Sequence, residues 1–433
     1  MVKRARENII RLLRWSEKYT KTDMVYLAHG GFWLFCSQAV AAVASFGLAV
    51  AFANLLPRET YGVYKYLLTI LGILTLACLR GMDGVVTQAS ARGNDGTVLQ
   101  ALRAKMRWGL LGSLASLALA LYYYLNGNGI IALALTIASV FIPIMDPVGI
   151  YSSVLAGKRA FKRMTILDSG SQITAAIGLT IGLLFTDNVI ALFALYCGLW
   201  TSARLISFLL TLRKFPPNDR LEPHAMSYGW HSSIINSSAV IISSLDAVLV
   251  FHYLGSAELA VYAFAMAPIL QLRGIFGIIT TLSTPKFVVQ TSAEIRRTLV
   301  KRSFYLFLAG AGIALCYSIF APLFYRIFFP QYLEAVVFSQ VFALTIAFSL
   351  GATLISGVLN SRVTLVPKLY LYLWNVPSIV LGISAVVFIK IFGIWGAIAG
   401  QLLSTATGAM VAWFLWYTIR NKEFNPAKDS AKV

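Results

Sequence analysis

Charge is what this sequence most lacks. Of 433 residues only 12% are Asp, Glu, Lys or Arg, against 58% hydrophobic, and the mean hydropathy is +0.74. Soluble domains carry about 25% charged residues, so a water-soluble globule of this composition could not cover its surface. Soluble enzymes, disordered chains and secreted scaffolds are excluded together. Cysteine is scarce as well: Cys36, Cys78, Cys197 and Cys316 stand singly in apolar stretches, with no Cys-x-x-Cys pair. That leaves them as small buried hydrophobes rather than a disulfide framework or a thiolate metal site. His29, His224, His231 and His252 lack metal-ligand spacing, and there is no Gly-x-x-x-x-Gly-Lys-Ser/Thr loop for a nucleotide. Gly310-Ala311-Gly312 lacks the third glycine of a dinucleotide fingerprint and reads as a site of close helix packing. No catalytic residue, metal or cofactor is therefore expected; the chain reads as a transporter, not an enzyme.

What is present is apolar segment after apolar segment. Twelve are long enough to span a bilayer, which takes about 20 residues: 31–54, 62–79, 108–125, 130–155, 165–185, 189–212, 228–254, 259–282, 303–325, 335–359, 366–389 and 394–418. The 36 basic residues test this division. Thirty fall in the two termini and the even-numbered connections, whereas only Arg58, Arg326 and Lys390 fall on the other side. Positive connections stay in the cytoplasm, so both termini are expected there. The net charge of +19 is thereby mostly topology, with attraction to anionic lipids as a by-product, and nucleic acid is not a partner. The connections on the sparsely charged side are about ten residues or fewer, too short to house an external active site. The first apolar run is too long and begins too late for a cleavable signal peptide. Before it, Ile9, Ile10, Leu12, Leu13 and Trp15 alternate with Arg11, Arg14 and Lys18, which suits either a helix on the membrane surface or a solvated basic tail.

The expected class is an all-α polytopic membrane protein. Its parts are a basic amphipathic segment (1–28), an N-terminal six-helix lobe (29–215), a cytoplasmic linker (216–227), a C-terminal six-helix lobe (228–419) and a tail (420–433). A shift of 198 residues lays Leu56, Val63 and Tyr64 on Leu254, Val261 and Tyr262, as parallel repeats would require.

Ionisable groups at membrane depth are expensive and stand for function by default. Arg273, deep in the eighth span, either faces an internal cavity or closes a structural ion pair. Arg204 in the sixth span and Lys65 in the second either line that cavity or snorkel to an interface. Ser232, Asn236, Ala239, Ser243 and Asp246 recur at spacings of four and three, a small polar stripe that either lines water or packs tightly on another helix. Asp146 lies in Pro143-Ile144-Met145-Asp146-Pro147, where prolines free backbone carbonyls beside a carboxylate. It is either a cation or proton site or an interfacial kink; Asp146 and Asp246 are the candidates for ion coupling. Asp168, Arg80 and Asp83 read as interfacial.

Asn54-Leu55-Leu56-Pro57-Arg58-Glu59-Thr60-Tyr61-Gly62-Val63-Tyr64 resembles the first-to-second helix junction of Wzx-type polysaccharide flippases. Gly81-Met82-Asp83-Gly84 is similar to the end of their second helix, and Leu155-Ala156-Gly157-Lys158-Arg159-Ala160-Phe161-Lys162 to their basic turn between helices four and five. Ser244-Leu245-Asp246 through Leu254-Gly255 and Val261-Tyr262, with Pro285-Lys286-Phe287, then Gly357-Val358-Leu359-Asn360 and Phe392-Gly393-Ile394-Trp395-Gly396-Ala397, extend the likeness over most of the chain. The family lies in the MOP exporter superfamily, with lipid II flippases and MATE drug exporters. The resemblance implies two six-helix lobes about a central cavity that opens alternately to each side. It also implies an undecaprenyl-pyrophosphate-linked oligosaccharide as cargo, moved outward across a bacterial inner membrane for O-antigen or related polysaccharide, with a polymerase and chain-length proteins as partners. Lys65, Arg273 and Arg204 would then shelter the pyrophosphate, while Ser232, Asn236, Ser243 and Asp246 meet sugar hydroxyls. The alternatives are a MATE-like cation-coupled drug exporter and a non-transporting scaffold of a polysaccharide assembly complex.

Overall fold

The computed structural model of the chain describes residues 24–289, 292–361 and 372–420. The expectation for the N-terminal basic segment falls on residues 1–23, outside the described ones, as does nearly all of the tail. Among the described residues the chain is almost entirely helical and holds no strand. Nine helical segments of the described residues are long and apolar enough to cross a membrane, and Val240–Leu254 and Val376–Phe392 are shorter apolar helices.

The first half runs α1 (Met24–Leu55), α2 (Arg58–Leu74), α3 (Met82–Arg92), α4 (Gly96–Leu125), α5 (Gly129–Met145), α6 (Tyr151–Gly157), α7 (Phe161–Phe185) and α8 (Val189–Lys214). The second runs α9 (Ala225–Ser243), α10 (Leu245–Leu254), α11 (Ser256–Val289), α12 (Ser292–Phe328), α13 (Ala335–Ala343), α14 (Thr345–Ser361), α15 (Val376–Phe392) and α16 (Ile394–Ile419). Apart from α2, which packs most heavily on α11, the helices up to Lys214 pack chiefly on one another, α4 on α5 and α7 on α1 and α8. Those from Ala225 do likewise, α15 on α16 and α14 on α11, α12 and α16.

Helix α4 shows why this chain needs lipid. Leu110, Leu111, Leu114 and Leu121 are each 50–62% exposed, while Gly109, Gly112, Ser113 and Ser116 are buried. Small and polar groups point in and leucines point out, the reverse of a soluble helix. Helices in a bilayer gain nothing by hiding leucine and associate through close packing and hydrogen bonds instead. Gly310 illustrates the packing: a Cβ there would stand 2.8 Å from Ala347 Cα on α14. The protein is a multi-pass membrane protein.

Four breaks among the described residues depart from the uninterrupted spans that hydropathy suggests. The second segment turns through a 3-10 stretch (Thr75–Cys78) and a left-handed Leu79 before resuming as α3. The fourth breaks at Pro147, the seventh at Ser244 and the tenth at Leu344. Helix α4 also begins at Gly96, twelve residues before the expected start at 108, because a helix continues where its hydropathy stops. The linker is shorter than expected, since α9 starts at Ala225.

The two ends of the bundle close differently. At the end holding few charges, called here the neutral end, Tyr66 stacks on Phe251 at 3.9 Å and Tyr61 on Phe264 at 4.6 Å. Gly62 lets α2 approach α11 so closely that a Cβ would fall 1.8 Å from the Ser256 carbonyl oxygen. Arg58 pairs with Glu334 at 2.5 Å and also donates to the Gln331 carbonyl, and Asn54 Nδ2 donates to Phe328 O at 3.0 Å. At the basic end, Trp108 meets Trp230 at 4.5 Å and Gly81 N donates to Ser233 Oγ at 2.9 Å. There the linker is clasped: Asn94 Nδ2 donates to Glu222 at 2.6 Å, Arg92 pairs with the same carboxylate, and Asn218 Nδ2 donates to Gly93 O at 2.7 Å.

Candidate functional site

Two polar clusters lie inside the bundle at different depths. The first surrounds Asp246, which is only 4% exposed. The break at Ser244 starts α10 afresh, so the Ser232-to-Asp246 stripe does not continue along one helix. Ser243 is exposed and donates to the Val240 carbonyl at 3.0 Å, whereas Asp246 turns inward. The side chain of Asn236 lies outside the described ones, and Ser232 is partly buried. Asp246 Oδ2 accepts from Tyr262 Oη at 2.5 Å and from Gln401 Nε2 at 2.6 Å, and Oδ1 accepts from the Ala247 amide at 2.7 Å. Lys65 of α2 is near enough to interact with this charge without closing an ion pair. At 1.5 Å per residue, Lys65, Asp246, Tyr262 and Gln401 all stand about 9–12 Å from the neutral end.

The second cluster lies nearer the basic end, in the first half of the chain. Pro143 has no N–H, so the Ser139 carbonyl loses its helical donor and accepts from Ser113 Oγ at 2.6 Å instead. Beyond Asp146 the chain tightens to a 3-10 turn in which the Gly149 amide bonds Asp146 O at 3.0 Å. The Met145 carbonyl is thereby released, and Arg204 Nη1 donates to it at 3.3 Å while lying 4.8 Å over the Trp200 ring. Asp146 itself pairs with Lys105 at 3.4 Å and Arg80 at 3.5 Å, and Lys105 donates to Asp83 at 2.7 Å. Asp168 accepts from Tyr151 Oη at 2.7 Å and Ser152 Oγ at 3.2 Å. Asp83, Asp146, Asp168, Trp200 and Arg204 all line one polar cavity of about 300 Å³, which Ser37 and Gln172 also face.

Arg273 belongs to neither cluster. It lies about 26 Å along α11 from the neutral end, and among the described residues it forms no ion pair or hydrogen bond. Its neighbour Gly274 packs against Gln38 of α1, whose preceding residue Ser37 faces the polar cavity. The three expected cations are thus separated: Lys65 stands by Asp246, Arg204 by Asp146 and Asp168, and Arg273 alone.

Lys105 was not among the expected site residues, because it falls in what hydropathy reads as a connection. It is 1% exposed. The sequence did hold a signal: Val98, Ala101, Lys105, Gly109, Gly112 and Ser116 follow one another at spacings of three and four, a single small-residue face with a lysine in it. Asp168, expected at an interface, lines the cavity; Tyr262 was marked in the sequence only as the repeat counterpart of Tyr64, and Gln401 had no distinguishing pattern.

The fold has known counterparts. An outward-facing multidrug resistance MATE family transporter of the MOP superfamily superposes with a TM-score of 0.61 at 14% identity, covering 91% of this chain and 95% of that one. The lipid II flippase MurJ, in an inward closed conformation, gives 0.65 at 14% identity, covering 89% and 87%. A MOP superfamily transporter from Pyrococcus furiosus, described as having a binding pocket of reversed polarity, gives 0.58 at 13% identity over 91% and 95%. No curated protein sequence matches the chain. The architecture is that of MOP-superfamily transporters. The model of the polysaccharide biosynthesis protein family matches residues 27–281, more than half of the sequence, and the chain belongs to that family.

Proposed function

We propose that this protein is a flippase that moves a polyprenyl-pyrophosphate-linked oligosaccharide from the cytoplasmic to the outer leaflet of a bacterial inner membrane, with its basic end and both termini in the cytoplasm. The observation that carries the reading is Arg273. A guanidinium held deep in a bundle costs several kcal/mol unless an anion meets it, and no carboxylate does so among the described residues. A pyrophosphate head, with about two negative charges, is the anion that a lipid-linked sugar brings. The polyprenyl tail stays in lipid while the head crosses between the lobes.

Lys65 and Arg204 stand second to Arg273, since Asp246 and the Asp146–Asp168 pair already compensate them. A cationic drug, as a MATE-like exporter would carry, fits less well: Asp83 and Asp146 are matched by Lys105 and Arg80. Moving two negative charges out of an inside-negative cell gains ~4–5 kcal/mol per 100 mV, so the membrane potential can drive export without ATP. Asp246 is the better candidate for an added H⁺ or Na⁺ coupling, because Asp146 already has two protein cations beside it.

The test is translocation of lipid-linked oligosaccharide in proteoliposomes under an imposed potential. Arg273→Ala is expected to lower the rate at least tenfold and Arg273→Lys to restore part of it. Wild-type rates in Arg273→Ala would remove the reading. A scaffold role predicts no translocation by the wild-type protein at all.

A further inference from the structure

The polar cavity of the first lobe combines groups that no single ion would use. Three carboxylates line it, which opposes a phosphate. Arg204 lines it as well, and Lys105 and Arg80 stand behind Asp83 and Asp146, which opposes a metal or an organic cation. Charges of both signs therefore balance around the void, and a neutral polar ligand meets the least opposition.

Unused hydrogen-bonding capacity points the same way. A carboxylate offers about four lone-pair sites, and Asp168 fills two of them with Tyr151 and Ser152, leaving acceptors toward the cavity. A guanidinium has five N–H donors, and Arg204 spends one on the Met145 carbonyl. Among the described residues, Gln172 and Ser37 make no side-chain hydrogen bond although both face the void. Spare donors and spare acceptors thus face each other across about 300 Å³, with the Trp200 indole as an apolar wall. Binding sites for small molecules run from about that volume upward and combine an apolar surface with a few placed polar groups. A ring whose hydroxyls each donate and accept, with C–H faces between them, satisfies this arrangement.

We propose that this cavity, walled by α1, α3, the turn at Asp146–Gly149, α6, α7 and α8, is a subsite for one neutral pyranose residue of the transported oligosaccharide. The proposal takes the origin of the sugar from the flippase reading, but the binding itself does not depend on transport. Arg273 lies at the same depth, beyond the Ser37–Gln38 step of α1, so a phosphate at one and a sugar at the other sit at one level of the bundle.

Saturation-transfer NMR on the purified full-length protein, with methyl glycosides of glucose, galactose, mannose, N-acetylglucosamine and N-acetylgalactosamine as probes, tests it. At least one glycoside is expected to show saturable transfer in the millimolar range. Losing hydrogen bonds to a charged group commonly costs a factor of ten or more and losing neutral ones about two- to tenfold, so Asp168→Asn is expected to weaken that transfer at least tenfold and Gln172→Leu at least twofold. Gln172 holds no other side chain in place, so its variant keeps the fold, which thermal unfolding verifies. Absence of transfer from every probe, or wild-type transfer in both cavity variants, overturns the subsite. Glycoside binding that persists in a protein unable to move lipid-linked sugar upholds the subsite and removes the flippase reading instead.

Discussion

The two buried clusters solve the same problem in opposite ways. Around Asp246, one carboxylate serves a tyrosine, an amide and a backbone N–H, with a lysine close by. Near the basic end, Asp83, Asp146, Lys105 and Arg80 form a chain in which Asp146 and Lys105 each have two opposite charges within 4 Å. The first is centred on one residue and enclosed; the second is redundant and borders a cavity. A centred cluster fails whenever its centre is lost, whereas a redundant one tolerates single losses. The centred arrangement also lets one proton or cation change the state of four neighbours together, which suits a coupling role. The redundant one suits a rigid wall.

The largest effect expected from this contrast is at Asp246. Asp246→Ala strands the Tyr262 hydroxyl and the Gln401 amide, each costing about 1–3 kcal/mol when left unsatisfied, and leaves Lys65 without its nearby countercharge. A loss of about 4 kcal/mol in unfolding free energy is expected from these terms, measured by steric trapping or denaturant titration in micelles. Adding Lys65→Met should recover part of it, because the double variant no longer holds a charge without a partner. A double variant no more stable than Asp246→Ala would show that Lys65 does not depend on Asp246.

Lys105→Met should cost less, although Lys105 is the more deeply buried residue. Breaking a buried pair commonly costs 3–5 kcal/mol. Here Arg80 stays 3.5 Å from Asp146, and Asp83 is 42% exposed and reaches solvent. About 2–3 kcal/mol is expected by the same measurement, at or just below the bottom of that range. Equal or greater loss than Asp246→Ala would break the contrast between centred and redundant clusters.

Much of the fold was legible because two one-dimensional signals dominate it. Apolar length counts the spans, and the segregation of Lys and Arg to alternate connections fixes their register. The breaks at Leu79, Pro147, Ser244 and Leu344 were not counted, since hydropathy averages over them. The pairing of charges was harder still. Asp146 could be picked out from its flanking prolines, but that Lys105 and Arg80 answer it depends on how the 3-10 turns orient neighbouring segments. Arg204 was found by its depth, and its bond to the Met145 carbonyl follows from a local tightening that no spacing rule reports. Arg273 stood out in the sequence for its depth alone, and the structure adds that among the described residues no carboxylate pairs with it.

The smallest expected effect lies outside the membrane, where the linker meets the turn between α3 and α4. The hydrogen bond from Asn94, and then the bond and charge of Arg92, hold the Glu222 carboxyl below the usual glutamate range. A group whose folded pKa is depressed stabilises the folded state above its unfolded pKa and loses that contribution as pH falls through the folded value. The clasp is therefore expected to be intact at pH 7 and at pH 5, and to weaken only below the usual glutamate value of about 4.3. Hydrogen exchange reads it directly, because the Glu222 amide donates to Thr97 Oγ1 at 2.8 Å. Corrected for intrinsic rates, its protection should be level between pH 7 and 5 and fall below pH 4. Glu222→Gln should lower protection at pH 7 while leaving overall stability nearly unchanged, since exposed pairs contribute little. A fall already at pH 6 would assign the clasp to another titrating group, and a large loss of stability in the variant would show that this end holds the lobes together as firmly as the aromatic end does.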